Sequence, residues 1–476
     1  MSSKKSKLIA LLSLSVLAPA LFLAGCGSSA TTGITAQSGS APTVVTVSDA
    51  PLGNVLSAKV TISSVAVTTS AGSSVSLLSK PEIIELSGLG SVQEPIELTN
   101  LPFGTYNSIT VTVSAAQVTY IDPNTGLPVT AGATIGTPSV TVALNPALTF
   151  SNQDEVHLQI AFNLASSFSI TGTAVSFTPA ISSSGVQISQ NGNGQNENEQ
   201  VEVSGMVTAI SSTSITVQSN DSNMPFTFTI NGSTQFPAGV TPANIALNSI
   251  VQVQGQLQQD GSMLALSITP LTPENGQGNE DGAKGIVVSV TSNNGILTGF
   301  AMVAQQDYGS MPNNAPTVNV VIGTTTTYAV SEHAQALGIT SSMFNAGEIF
   351  PGQAVMAMGT TDTNGNLDAT QITLGRENLL ANLNTTPQTS GAYVDFTLGL
   401  ASNSLLTTLD QLTTLNAAAG ANTDYGNGLT AASFLTTPVN TSIQVDGYLL
   451  VDTNNNYMLT ASEIDMPDSP EPPEGN

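Results

Sequence analysis

The residues able to do chemistry in this chain are few. Its 476 residues include one cysteine, Cys26, and two histidines, His157 and His333, against 32 Asp and Glu. One thiol cannot form an internal disulfide, so each domain must be stable from packing alone. The two histidines are far apart in sequence, and a zinc site or triad would need convergent partners within one fold; both read as bystanders, His157 on the polar face of a strand and His333 near a short helix start. No G-x-S-x-G elbow, phosphate-cradling G-x-x-x-x-G-K or H-E-x-x-H pair occurs. A carboxylate pair could hydrolyse a glycoside. With no Trp and only seven Lys and Arg, however, sugar platforms and substrate clamps are scarce, and the chain reads as a non-enzyme. The most specific spacing is near the C-terminus. Asp452, Asn454, Asn456 and Thr460 take positions 1, 3, 5 and 9, and Glu463 position 12, of an EF-hand-type calcium loop. Tyr457 stands where that loop needs Gly, so Asp452, Asn454, Asn456 and Glu463 are calcium candidates in competition with a plain Asp/Asn turn. Asp362 opens a similar segment, but Thr373 replaces the final Glu.

The elements that must position these groups are strands. At roughly 150 residues per domain the length predicts about three units, and the patterning raises this to four. Charged residues are 8% of the chain and the net charge is -25. Nucleic acid, bound by neutralising phosphates, is therefore excluded as a partner, and anionic substrates are disfavoured. Residues 44–180 alternate with period two: Ile109, Val111 and Val113 between threonines, and Val156, Leu158, Ile160 and Phe162 between His157, Gln159 and Ala161. The apolar set Leu56, Ala58, Val60, Ile62 shifts to Val65 and Val67 after Ser63-Ser64, which predicts a bulge. Asp122-Pro-Asn-Thr-Gly126 is a turn. Strands without a long amphipathic helix predict an antiparallel β-sandwich.

Beyond a polar linker at 183–200 lies an internal repeat. Gly255 and Ala265 are ten residues apart, as are Gly359 and Ala369; Gly447 and Ala461 repeat the pair with four extra residues, an even insertion that keeps the inward face. Gly-containing strands at Val203–Val207, Gly282–Val288 and Gly391–Phe396 open the three copies. These units suit small OB-like barrels with a helical insert at 331–337. The boundaries are 201–270 for repeat one, a linker at 271–282, 283–375 for repeat two, a linker at 376–390, and 391–465 for a divergent repeat three in which Leu405, Leu409 and Leu412 have helical spacing. Residues 466–476 read as a disordered acidic tail. Repeats of this size read as beads on a string. The fold class is thus all-β, a sandwich followed by two or three OB-like barrels joined by polar linkers.

The first 25 residues carry Lys4, Lys5 and Lys7 ahead of an apolar run over 8–23, too short and too interrupted to span a membrane, and read as a signal peptide. Leu23-Ala24-Gly25-Cys26 resembles the lipobox of bacterial lipoproteins. That resemblance implies cleavage before Cys26, a diacylglycerol thioether and a further acyl chain such as palmitate. Several chains would anchor it to the membrane stably. Gly27, rather than Asp, follows Cys26, which in that family implies the outer membrane over the inner. Cleavage leaves Lys59, Lys80, Lys284 and Arg376 against all 32 acids, so the body stands off anionic headgroups on a flexible tether at 26–43.

Val47-Ser-Asp-Ala-Pro51, the strand after it, and Leu101-Pro-Phe-Gly-Thr-Tyr106 resemble domain-of-unknown-function family 4382. The repeats resemble domain-of-unknown-function family 5666. Neither resemblance implies an activity, catalytic residue or cofactor. The functional expectation is a lipid-anchored protein of the bacterial cell envelope with a binding or structural role, in surface display, adhesion or assembly, its partner an envelope protein or glycan. The alternatives are a calcium-stabilised stalk or adhesin, and a cryptic carboxylate-dependent hydrolase.

Overall fold

The computed structural model describes residues 39–466 apart from 51–52, 90–91, 151–154, 189–199, 221, 223, 238, 259, 272–280, 310–315, 427–428 and 452–455. The signal peptide, most of the tether and the tail therefore lie outside the described residues.

The first unit is a sandwich. Val55–Thr69 pairs antiparallel with Gly104–Ile121, and the register slips between Ile62 and Ser64 at the expected bulge. That slip lets Val60, Ile62, Val65 and Val67 all face the core with Ile109, Val111 and Val113. Each such side chain contributes roughly 1.5–3 kcal/mol on burial. The facing sheet has the order Ile181–Ile188, Glu155–Asn163, Ser40–Ala50, Glu94–Pro102. Ser40–Ala50 runs parallel to Glu155–Asn163, so the sandwich is mixed rather than purely antiparallel. More than a hundred residues separate these two strands, and a connection that long imposes no antiparallel pairing. The pairing of Ser40–Ala50 and Ile181–Ile188 into this sheet extends the unit at both ends beyond 44–180, into the predicted tether and linker. In the Leu-Pro-Phe-Gly-Thr-Tyr element the Tyr106 hydroxyl donates to the Pro102 carbonyl at 2.7 Å. A tyrosine thereby ties down the corner between two strands.

Two closed five-stranded barrels follow, and then a six-stranded sheet that closes in the same way with Gln388–Ser390 added outside the ring. The first comprises Gln200–Ile210, Ser214–Ser219, Pro225–Thr229, Ile250–Leu257 and Met263–Pro270; the second Asp281–Asn293, Ile296–Tyr308, Val318–Ala329, Ala354–Thr361 and Leu367–Leu374. Both close in the order first, second, third, fifth, fourth, with the third and fifth strands parallel. The third has the same connectivity: Glu377–Leu383 pairs with Tyr393–Leu400, that with Thr414–Tyr425, that in parallel with Tyr457–Asp465, and Ser442–Val451 closes the ring.

The repeat pairs face each other across the last hairpin of every barrel. Gly255 lies opposite Ala265, Gly359 opposite Ala369 and Gly447 opposite Ala461, each beside a bulge. One boundary differs. Residues 377–383, expected to be linker, form the first strand of the third barrel and bury Ala381 and Leu383. That strand lacks the glycine that marks its two counterparts. Gly391–Phe396 instead leads into the second strand, so this barrel begins at 377 rather than 391. Leu405–Asp410 is helical as its spacing predicts, capped by the Ser404 hydroxyl, which accepts from Thr407 N at 3.1 Å. The insert Glu332–Ala336 is helical too, capped by Ser331.

The units are not independent beads. Val44 of the sandwich joins the core of the first barrel. Leu56 and Ile121 of the sandwich share a cluster with Ile286, Val303 and Ala354 of the second. Ile250 of the first barrel packs with Tyr308, Met356 and Met358 of the second. Tyr448 of the third enters the core of the second, and Phe350 of the second that of the third. An outward strand face that looks half-polar in sequence can be buried by the neighbouring unit, and that was invisible to periodicity alone.

Candidate functional sites at the unit junctions

Cys26, Asp452 and Asn454 lie outside the described residues. Asn456 and Glu463 are described and are not brought together. Asn456 is exposed just before the strand Tyr457–Asp465, and Glu463 sits near that strand's far end. At about 3.3 Å per residue the seven steps between them span roughly 23 Å, so the two cannot bind one ion. The EF-hand spacing is overturned because extended backbone carries its twelfth position away from the loop. The Asp362 carboxylate is held by its own turn: it accepts from Asn364 N at 2.7 Å, Asn366 N at 2.9 Å and both side-chain amides. Those bonds, led by the one from Asn366 N, hold its pKa below the usual Asp value. Among the described residues, no three His, Cys, Asp or Glu side chains converge as a metal site.

His157 is not on a solvated face. It is 2% exposed, on the sandwich surface covered by the first barrel. Its Nε2 lies 2.8 Å from Thr46 Oγ1, which donates to Gln93 Oε1 at 3.1 Å. Around this chain, Glu202 N donates to the Gln93 carbonyl at 3.0 Å and the Ser219 hydroxyl to Glu94 Oε1 at 2.9 Å.

Two buried glutamates occupy junctions of the second barrel. Glu85 of the sandwich accepts from Ser57 Oγ at 2.5 Å, Ala58 N at 2.7 Å and Ser87 Oγ at 2.6 Å. Burial still raises its pKa against those bonds. Beside it, Gln305 of the second barrel donates to the Leu56 carbonyl at 3.0 Å and to Ser87 Oγ at 3.2 Å. Glu377 of the third barrel is 4% exposed and accepts from Ala354 N of the second at 2.6 Å. Burial pushes its pKa up to about 8. In the same interface Gln353 donates to the Leu449 carbonyl at 2.9 Å, and Ser331 and Tyr448 share a hydrogen bond of 2.9 Å.

The densest group of charges surrounds Arg376. Burial lowers its pKa, but Asp446 and Glu202, with Tyr448 and Glu463, raise it by more. Asp446 and Glu463 lie directly opposite across two strands, a like-charge pair that is destabilising without a cation. Arg376 supplies it and draws Glu202 of the first barrel into the same field. His333 of the second barrel lies here too, its ring 6.1 Å from that of Tyr448. Its pKa is lowered, first by burial and then by Arg376. The two histidines thus sit in separate junctions. Sequence reasoning passed over Arg376, although it is the only arginine in the chain, a signal that could have marked it. Chemically, these junctions are hydrogen-bonded joints, one of them built on a single guanidinium amid three carboxylates, that fix one unit against the next.

Residues 40–179 match the family model for Domain of unknown function (DUF4382), and residues 204–269 that for Domain of unknown function (DUF5666). No curated protein matches the chain. Among solved structures it is similar to a deletion mutant of the single-stranded DNA binding protein from Thermus aquaticus, at 16% identity and a TM-score of 0.18, covering 41% of this chain and 98% of that one. It is also similar to a multidomain protein with nucleic acid binding domains from Streptococcus pneumoniae, at 9% identity and a TM-score of 0.12, covering 55% of this chain and 72% of that one. The DUF4382 match thus falls on the sandwich and the DUF5666 match on the first barrel, and the second and third barrels repeat the connectivity of the barrel that carries the DUF5666 match.

Proposed function

We propose that this chain is a lipid-anchored protein of the bacterial cell envelope, held through Cys26 at the outer membrane, whose fused β units form a non-enzymatic body for display, adhesion or assembly. The observation that carries the reading is the set of junctions. Shared apolar clusters and the joints at Gln305, Gln353, Arg376 and Glu377 commit buried polar side chains, the single arginine among them, to holding units together. Stiff joints suit a protein that presents a surface at a fixed distance from a tether. The partner is an envelope protein or glycan. Nucleic acid is not proposed, because seven basic residues against 32 acids repel phosphates.

The test is fractionation of cells expressing the wild type and Cys26→Ser, with metabolic labelling by a palmitate analogue. The wild type is expected in the outer-membrane fraction and labelled, and Cys26→Ser soluble and unlabelled. Membrane retention of unlabelled Cys26→Ser would overturn the anchor. Crosslinking on intact cells, followed by capture of the chain, then identifies the partner. A body that crosslinks to nothing in the envelope would remove the binding role.

A further inference from the structure

One aromatic ring in this chain is left facing water. Among the described residues Tyr393, 44% exposed, is the one exposed Phe or Tyr side chain. It opens the strand Tyr393–Leu400 of the third barrel and rests on bare backbone, since a Cβ at Gly420 of the neighbouring strand Thr414–Tyr425 would lie 3.3 and 3.5 Å from two of its ring carbons. Its hydroxyl end reaches the second barrel. A Cβ at Gly338, just past the helical insert Glu332–Ala336, would lie 3.5 Å from the Tyr393 hydroxyl oxygen. Close by, Asn422 Nδ2 donates to the Ala336 carbonyl at 2.7 Å, which fixes the two barrels together at this point. The ring is thus seated in the notch between two barrels, with a glycine beneath it and a glycine at its tip.

The side chains around the ring follow from strand alternation. Val394, Phe396 and Leu398 turn into the core of the third barrel, as do Leu415, Ala417 and Ala419; Tyr393 and Asp395 therefore stand together on the outer face, about 7 Å apart along the strand, beside Ala418 and Gly420. The short strand Gln388–Ser390, added outside the ring of the third barrel, widens this face. It is joined to Tyr393 by a two-residue turn in which Gly391 has a φ of 63°, and it sets Gln388 directly opposite Asp395. Asp395 and Gln388 are both exposed. The face therefore offers one flat apolar ring, a carboxylate that accepts hydrogen bonds and an amide that both donates and accepts, over a floor of small residues.

We infer that this face is a binding site for an uncharged oligosaccharide, with Tyr393 as the platform on which a pyranose ring lies and Asp395 and Gln388 as partners for its hydroxyls. A pyranose has the matching chemistry, an apolar C–H face edged by hydroxyls that donate and accept. The apolar contact available beside the small floor is a single ring, and a notch between units is where small-molecule sites preferentially form. The sign of the ligand follows from charge. Residues 388–400 and 414–425 contain no Lys or Arg, and the chain carries a net charge of -25, so an anionic sugar would meet repulsion without a cation to hold it. The inference rests on the binding role proposed above and narrows its partner to a glycan; it does not depend on the anchor at Cys26.

Isothermal titration calorimetry of the purified full chain tests it, with cellohexaose, chitohexaose and maltohexaose as uncharged probes and hexagalacturonate as the acidic one. The wild type is expected to bind at least one of the uncharged three and not the acidic one. Tyr393→Ala is expected to weaken that binding about tenfold or more, and Tyr393→Phe, which keeps the ring, to bind as the wild type does. Ala418→Gln, which fills the floor and leaves Tyr393 in place, is expected to weaken it as well. Both positions face water, so the thermal midpoints of the variants should match the wild type, which separates a lost site from a lost fold. Failure of the wild type to bind any uncharged probe, equal or tighter binding of hexagalacturonate, or wild-type affinity in Tyr393→Ala and Ala418→Gln would overturn the site. Because the titration reads the isolated protein, such a failure leaves the anchor standing, and membrane retention of unlabelled Cys26→Ser would leave the sugar site standing.

Discussion

The glycine of the barrel repeat offers a graded test of the register. Gly359 does not have a positive φ, so its role is space. A methyl group there would lie 2.0 Å from the Asp368 carbonyl oxygen and 2.8 Å from its carbon. Restoring an ordinary contact of about 3.4 Å requires the two strands to part by roughly 1.4 Å, over a quarter of the usual interstrand spacing. Such a shift breaks ladder bonds on either side of the bulge, each worth about 0.5–1.5 kcal/mol, and adds an overpacking cost of about 1–3 kcal/mol, so Gly359→Ala should destabilise by about 3–5 kcal/mol. At Gly447 the nearest atom is the Thr460 carbonyl oxygen at 2.5 Å, and the smaller shift predicts about 1–3 kcal/mol. At Gly255 the nearest atoms belong to the Phe228 ring, at 2.3 and 2.7 Å, with the nearest backbone at 3.2 Å. There a ring must turn rather than a strand move, so Gly255→Ala should cost less than Gly359→Ala. Urea unfolding followed by far-ultraviolet circular dichroism measures the series. Gly359→Ala within about 0.5 kcal/mol of wild type, the range of ordinary surface changes, would refute the shared register.

Other joints give further expectations. Gln305→Ala removes the shorter of the two hydrogen bonds to the Leu56 carbonyl and leaves that from Ser87 Oγ at 3.4 Å, at about 1 kcal/mol; limited proteolysis should then separate the sandwich from the second barrel earlier than in wild type. Tyr106→Phe removes the bond to Pro102 and should lower the stability of the sandwich by about 1 kcal/mol, measured by the urea midpoint. The Asp362 carboxylate has a depressed pKa in the folded chain, so its stabilising effect is present above the ordinary Asp value and lost as pH falls through the depressed one. Asp362→Ala should therefore be less stable than wild type at neutral pH and converge with it in strong acid, by thermal unfolding across pH. Since Asn456 and Glu463 cannot share an ion, millimolar calcium should leave the thermal midpoint unchanged; a clear rise would restore the calcium reading.

Strand identity was legible because alternation reports which side chains face inward. Val60 to Val67 and Ile109 to Val113 were read that way and are buried. The repeat was legible because glycine and alanine must meet at a bulge, and the spacing of ten residues survives wherever hairpin length does. The first strand of the third barrel was not legible. Glu377–Leu383 lacks the glycine of its counterparts, and its Asn and Glu resemble linker composition. The fate of outward faces was less legible still. Thr46 and His157 alternate with apolar residues as a solvated face would, and only the position of the first barrel decides that both are buried. Candidate sites suffered most. Asp452 to Glu463 fit a calcium loop by spacing, but spacing becomes distance only once the backbone is known to be a loop, and from Tyr457 onward it is a strand.

The burial of those faces also narrows where a partner can bind. The sandwich surface around Thr46 and His157 is covered by the first barrel, and the outward side of the third barrel at Tyr448 by the second, so neither is available to a ligand without opening a joint. What stays outside has a different chemistry. On the sandwich, hydroxyls pair across strands at Thr110 and Thr141, 2.8 Å, and at Thr112 and Ser139, 3.0 Å, an uncharged surface on a strongly acidic chain. On the second barrel the hairpin of Asp281–Asn293 and Ile296–Tyr308 ends in exposed residues, with Ile296 70% exposed. An acidic body repels a second copy of itself, whereas an uncharged hydroxyl surface and an uncharged hairpin tip place no acid in the way of a neutral partner. Charge insertion separates these two surfaces. If crosslinking to the envelope partner persists in Thr141→Asp but is lost in Ile296→Asp, the hairpin is the contact; the opposite pattern assigns it to the hydroxyl surface. Loss in neither variant would place the contact elsewhere.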